Sequence, residues 1–170
     1  HGYIEAKADR LVGNKIYFNT ATVTGTENLM MAASLARGTS VLENAAQEPE
    51  VVALAHALNS MGARISGAGT STIIIEGVRN LQSAHIKIIP DRIETGTFMA
   101  AAAATGGDIL IKNCRPEHLE SISSKLKAAG TEIISYTDSL RVIGRKPVQS
   151  VNVKTLPYPG FPTDMQAQFM

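Results

Sequence analysis

Two stretches of the chain carry the same spacing of apolar positions. Val51, Leu54, Leu58 and Met61 step by three, four and three residues, and so do Leu119, Ile122, Leu126 and Ala129. That spacing gathers each set into one stripe of a helix. Pro49 and Pro116 stand where a first helical residue is expected, and Gly62 and Gly130 follow the last. After each stripe come two short β-prone runs. Arg64–Ser66 and Thr72–Glu76 flank Gly67-Ala68-Gly69-Thr70, and Glu132–Ser135 and Leu140–Ile143 flank Tyr136-Thr137-Asp138-Ser139. Both predict hairpins. Before each stripe lies a further strand, Ser40–Glu43 or Asp108–Lys112.

A second kind of helix has no polar side. Leu29–Ala36 is almost wholly apolar, and Thr95–Thr105 contains five successive alanines, Ala100 to Ala104. A helix without a polar face is expected to be buried all round. Thr24 stands three residues before Glu27, the spacing of a capping box, and predicts the first helix start there. Gly38 and Gly106-Gly107 end these helices. Gly2–Ala8, with Ile4 and Ala6 on one face, and Lys15–Asn19 predict strands.

The landmarks recur at an offset just under seventy residues. Gly38 matches Gly107, Asn44 matches Asn113, Gly62 matches Gly130 and Gly77 matches Gly144. Three related strand-to-helix joints fit the same period: Ile16–Asn28, Ile86–Met99 and Val153–Gln166. The middle joint reads as a strand over Ile86–Ile89, a break at Pro90 and a charged turn. Each unit then holds a sheet with one side to cover and one apolar helix. Such units pack around their helices with the sheets outside, a mixed α/β (α+β) fold.

Composition narrows the function classes. The 170 residues suit one domain or two small ones. Aromatics make up only 5% and tryptophan is absent, so Ala, Leu, Ile, Val and Met must build the core. A net charge of +1 argues against a nucleic-acid partner held by phosphate neutralisation. No apolar run is long enough to span a membrane. The chain starts at His1 with no signal-peptide pattern and stops at Met170 just after a helix begins, so both ends are expected to be cut from something longer. The single cysteine, Cys114, permits a reducing compartment. It stands before a helix N-terminus, a setting that lowers a thiol pKa. The matching residue in the first unit is Ala45, which favours a packing role. His1, His56, His85 and His118 have no partners at ligand spacing, so no metal site is expected.

The acidic residues at the joints carry open alternatives. Glu48 and Glu50 flank Pro49, where each acid ordinarily stabilises a helix start by about 0.3–1 kcal/mol. Asp91-Arg92-Ile93-Glu94 reads equally as a solvated loop or as a polar cluster facing a cleft. Thr163 and Gln166 have capping-box spacing and put Asp164 in a first helical turn. There it is either a dipole partner or a rigidly held general base.

Three runs carry a resemblance. Glu43-Asn44-Ala45-Ala46-Gln47-Glu48-Pro49-Glu50, Pro90-Asp91-Arg92-Ile93-Glu94-Thr95-Gly96-Thr97 and Phe161-Pro162-Thr163-Asp164-Met165-Gln166-Ala167-Gln168-Phe169 resemble the bacterial UDP-N-acetylglucosamine enolpyruvyl transferases. The resemblance extends in order along essentially the whole chain. It implies two similar domains built of βαβαββ units, with a substrate cleft between them. Residues 1–89 are then the closing part of the first domain and residues 90–170 the opening part of the second, with one full unit at 90–157. It implies transfer of enolpyruvyl from phosphoenolpyruvate to the 3-hydroxyl of UDP-N-acetylglucosamine, the first committed step of peptidoglycan synthesis. It implies a cytoplasmic enzyme with no cofactor. Asp164 matches the aspartate proposed as base for that hydroxyl. Thr20-Ala21-Thr22-Val23 matches a segment contacting the uridine diphosphate, although many members carry lysine where this chain has Thr20. Glu48, Glu50, Asp91, Arg92 and Glu94 match polar residues that line or brace the interdomain cleft.

The same resemblance sets the family's reactive cysteine, a Lys-Asn pair and a phosphoenolpyruvate-binding arginine before His1, and further arginines after Met170. Cys114 is not that cysteine. The segment alone is therefore expected to lack transferase activity and to need the remaining parts of the same enzyme. Turnover by the purified segment, free of the full-length protein, would contradict this. Two rival readings stay open at the level of sequence: a part of a 5-enolpyruvylshikimate-3-phosphate synthase, and a non-catalytic repeat module that binds through its joints.

Overall fold

The computed structural model describes residues 2–170; His1, one of the four scattered histidines, lies outside the described residues. The chain divides into two compact units, one running up to Ile88 and the other from Ile89.

The first unit runs β1 (Lys15–Tyr17), α1 (Val23–Ser34), β2 (Thr39–Glu43), α2 (Pro49–Ser60), β3 (Arg64–Ser66) and β4 (Thr72–Glu76). Its sheet has the order β1-β2-β4-β3. Strand β1 lies parallel to β2, with Ile16 beside Leu42. The other pairs are antiparallel, with Leu42 opposite Ile73 and Ile65 opposite Ile75. Alternation along β4 sends Ile73 and Ile75 inward and leaves Ile74 exposed. The inward residues meet Met30 of α1 and Val51, Ala55 and Leu58 of α2 in one core. Each fully buried side chain of this size contributes about 1.5–3 kcal/mol.

The second unit holds α3 (Arg92–Thr105), β5 (Asp108–Lys112), a 3-10 turn at Pro116–His118, α4 (Glu120–Ala128), β6 (Glu132–Ser135) and β7 (Ser139–Ile143). A 3-10 turn at Thr163–Met165 then leads into the short α5 (Gln166–Phe169). The sheet order is β5-β7-β6, antiparallel throughout. The predicted stripe of Leu119, Ile122, Leu126 and Ala129 is buried along its whole length. Met99, Leu140, Val142, Phe161 and Met165 complete this core.

Several expectations are corrected. Gly2–Ala8 is not a strand; Tyr3 and Ile4 project into solvent, and no strand pairs with the segment among the described residues. Ile86–Ile89 is not a strand either, and Ile88 is 81% exposed. Alternating apolar residues become a strand only where a neighbouring backbone supplies a ladder. Helix α1 begins at Val23, capped by Thr22, whose Oγ1 accepts from the Gly25 N–H at 3.3 Å; Thr24 is already inside the helix. Helix α3 begins three residues earlier than expected, so Arg92–Glu94 is its first turn and no loop. Neither apolar helix is buried all round: Met31 of α1 and Phe98 of α3 are exposed. Within a unit, the sheet and the partner helix cover only one side of each. Thr163 caps nothing; Pro162 holds that position, and the segment after Val153 forms only a bridge between Thr155 and Phe161.

Candidate functional site

The acidic and hydroxylic residues singled out by sequence all lie at or just before helix starts. In the first unit, Thr20 and Ala21 lead from β1 into α1 and Thr22 caps the helix. Val23 packs on the first core, which anchors the turn. Gly25 is required here because a Cβ would collide with the Thr22 side chain. Thr22 takes up the N–H groups of Gly25, at 3.3 Å to Oγ1, and of Thr26, at 3.0 Å to its carbonyl oxygen, which leaves those of Val23 and Thr24 without a helical acceptor at this joint, a setting suited to a phosphate.

Glu48 and Glu50 open α2, with Glu48 at the cap position and Pro49 as first residue. One carboxylate oxygen of each is enclosed. The loop before them is tied to α1, since the Ala46 N–H donates to Thr26 Oγ1 at 3.1 Å. Glu27 of α1 lies in their field. Partial burial, and then the charges of Glu50 and Glu48, raise its pKa above the ordinary glutamate value. The spacing of Glu27 from Thr24 suggests half of a capping box; the fold makes it the third carboxylate of this group.

In the second unit, Asp91 caps α3, its Oδ1 accepting from the N–H groups of Ile93 at 2.7 Å and Glu94 at 3.1 Å. That cap is a full structural reason for an acid at this position. Arg92 lies 5.8 Å from the ring centre of Tyr158, a cation–π contact from the first turn of α3 to the segment before Asp164. Glu94 is exposed beside it. Asp164 is exposed on its 3-10 turn, between the buried Phe161 and Met165. Phe161 meets Phe169 edge to face at 4.8 Å. The structure therefore gathers Thr20–Val23, Glu48 and Glu50 in one unit, and Asp91, Arg92, Glu94 and Asp164 in the other.

Cys114 is buried, with its Sγ 3.6 Å from the Ile111 carbonyl oxygen. Burial pushes its thiol pKa up, opposite to the activated thiol that its place before a helix suggested. It occupies the place of Ala45: both backbone N–H groups donate at 3.0 Å to the loop between the two hairpin strands, to Ser71 O and Asp138 O. Among the described residues no group of His, Cys, Asp and Glu is placed to hold a metal ion, and no helix is long and apolar enough to cross a membrane.

The whole of residues 1–170 matches the EPSP synthase (3-phosphoshikimate 1-carboxyvinyltransferase) family. The chain belongs to the EPSP synthase family. Among its relatives is a UDP-N-acetylglucosamine 1-carboxyvinyltransferase of Desulforapulum autotrophicum, 62% identical over 170 residues, covering 100% of this chain and 41% of that protein. One of the same name from Thermodesulfovibrio yellowstonii is 61% identical over 99% of the chain and 41% of its own length. The chain thus spans about two fifths of the curated relatives it matches. Among solved structures, the enolpyruvyl transferase NikO from Streptomyces tendae superposes with a TM-score of 0.81 at 22% identity, over 95% of this chain and 41% of that one. An EPSP synthase from Acinetobacter baumannii gives 0.59 at 19% identity, over 79% and 32%. At these identities the two structures establish the enolpyruvyl transferase fold of this EPSP synthase family segment.

Proposed function

We propose that the chain is part of a cytoplasmic UDP-N-acetylglucosamine 1-carboxyvinyltransferase, with the unit ending at Ile88 closing its first domain and the unit from Ile89 opening its second. The observation that carries this reading is the 62% identity, sustained over all 170 residues, to a relative of that name. In this reading the parent enzyme moves the enolpyruvyl group of phosphoenolpyruvate to the sugar 3-hydroxyl and releases phosphate. Asp164 accepts the hydroxyl proton as the new C–O bond forms. An exposed carboxylate set between two buried residues suits that task, because its backbone is fixed while its oxygens reach solvent. The amide groups at the start of α1, with Thr20, Ala21, Thr22 and Val23, receive the nucleotide diphosphate. Glu48, Glu50, Asp91, Arg92 and Glu94 line or brace the substrate cleft. The segment by itself carries no transferase activity.

The test is Asp164→Ala in the full-length protein. Turnover is expected to fall roughly 10²–10⁴-fold, the usual worth of a positioned acid–base group, with the unfolding midpoint retained. Unchanged turnover would leave Asp164 as a turn residue and remove the reading of its role.

A further inference from the structure

Asp164 sits on a turn of three residues followed by a four-residue helix, too short to hold a carboxylate still by its own hydrogen bonds. Its position must come from what the turn rests on, and that is α3. Met165 is fully buried over Gly96, in the second turn of that helix. A Cβ on Gly96 would come within 2.9 Å of Met165 Sδ and 3.0 Å of Ile122 Cδ1. A glycine inside a helix costs about 1 kcal/mol relative to alanine, so this close seat is the physical reason for having one.

Met165 and the buried Phe161 seat the turn on the core, and the orientation of the exposed residues beyond Met165 depends on a further contact. A second tie supplies it. Gln168 Nε2 donates to Thr97 Oγ1 at 3.0 Å, a link between side chains 71 residues apart. The Thr97 hydroxyl donates its single hydrogen to the Ile93 carbonyl at 2.8 Å. Its oxygen can therefore only accept from Gln168, and the amide orientation is determined by the hydroxyl. One exposed hydrogen bond adds only about 1 kcal/mol to stability, and the buried Phe161 and Met165 already hold the segment in place. A displacement of about 1 Å at a reacting group, in contrast, costs up to a hundredfold in rate.

We propose that Thr97 and Gln168 are positioning residues for Asp164, locking its turn against α3 so that the carboxylate meets the substrate hydroxyl in line. This rests on the reading of Asp164 as proton acceptor. Thr97→Val in the full-length protein removes the acceptor and keeps the shape. It is expected to lower kcat about tenfold while KM for UDP-N-acetylglucosamine and phosphoenolpyruvate stays within about twofold. Thr97→Ser restores the rate, and Gln168→Met adds no further loss to Thr97→Val. On an Asp164→Ala background, Thr97→Val leaves the residual rate unchanged. An unaltered kcat in Thr97→Val overturns the proposal, as does a loss that persists in full on the Asp164→Ala background or one that follows a fall in the unfolding midpoint. If Asp164→Ala impairs turnover while Thr97→Val is silent, only the positioning role falls. If Asp164→Ala keeps full turnover, both ideas fall.

Discussion

The first unit completes a βαβαββ pattern, whereas the second begins at its helix, yet the joints of the two are built alike. Asn44 and Asn113 both adopt φ +54° at the end of the strand that precedes the second helix. Gly77 and Gly144 leave the last hairpin strand in the same way, their N–H groups donating to Gly38 O at 2.9 Å and Gly107 O at 2.8 Å. Thr22 and Asp91 cap the two apolar helices, and the buried Thr26 and Thr95 follow each cap four residues later. The difference lies at one sheet edge: β1 runs parallel beside β2, and among the described residues no strand lies beside β5 in the same way. What the repeat keeps is the set of positions where backbone geometry admits few residues. What it lets go is a peripheral strand.

The largest effect should come from the glycines that close the units. A Cβ on Gly77 would strike the carbonyl oxygen of Ala36, and one on Gly144 that of Ala102. A backbone oxygen cannot rotate aside as a side chain can. Gly77→Ala and Gly144→Ala are each expected to destabilise the chain by about 2–3 kcal/mol, as overpacked sites do. Chemical denaturation checks this, and a marked inequality between the two would break the equivalence of the joints.

The asparagines sharpen the comparison. Asn44 Nδ2 donates to Phe18 O at 2.8 Å, fastening the end of β1 to the joint. Asn113 has no such strand to hold. Asn→Gly eases the positive φ equally at both positions, so the backbone terms cancel in the difference. Asn44→Gly is then expected to be less stable than Asn113→Gly by about 1 kcal/mol, one hydrogen bond. Equal unfolding free energies would show that the Phe18 tie contributes nothing.

The same comparison explains what was legible in the sequence. Helix α2 is delimited by Pro49 and Gly62, and the second stripe is buried throughout although Pro116 opens a 3-10 turn and α4 starts only at Glu120, because stripe burial and helix stops depend on local steric rules and one-sided burial. The hairpins follow for the same reason. Ile86–Ile89 misleads because a strand needs a partner, and pairing is a property of the fold. Helix α3 starts at Arg92 and not at Thr95 because Asp91, at capping-box spacing from Glu94, makes the cap ahead of the apolar run. At α1 the signal was a decoy, since Thr24 and Glu27 have that spacing while Thr22 makes the cap. The candidate site residues rest on the resemblance of their motifs, because no local rule of spacing or burial singles out a substrate contact. Gly96, Thr97, Gln168 and Tyr158 were not legible, because their contacts join positions about seventy residues apart or more, or depend on a ring lying over a guanidinium.

The smallest effect distinguishes one position on the two apolar helices. Counted from the caps, Glu27 of α1 corresponds to Gly96 of α3. Gly96 meets Met165 and Ile122, whereas Glu27 is left partly buried near Glu48 and Glu50. Burial and two like charges disfavour its ionised form, so its folded pKa lies above the ordinary value of 4.5. A raised carboxyl pKa means that the folded state holds the proton more tightly than the unfolded state. The contribution of Glu27 is therefore fully present below pH 4.5 and is lost as pH rises through the folded pKa. Glu27→Gln, neutral throughout, should match the parent chain at acid pH and become the more stable of the two toward neutrality. The gain is on the order of half a kcal/mol or less, since solvent screens a group that is only partly enclosed. Paired unfolding curves at pH 4 and pH 7 decide it. A Gln variant that gains nothing at neutral pH would mean that neither burial nor the charges of Glu50 and Glu48 disfavour the ionised Glu27, and that the two apolar helices differ in packing alone.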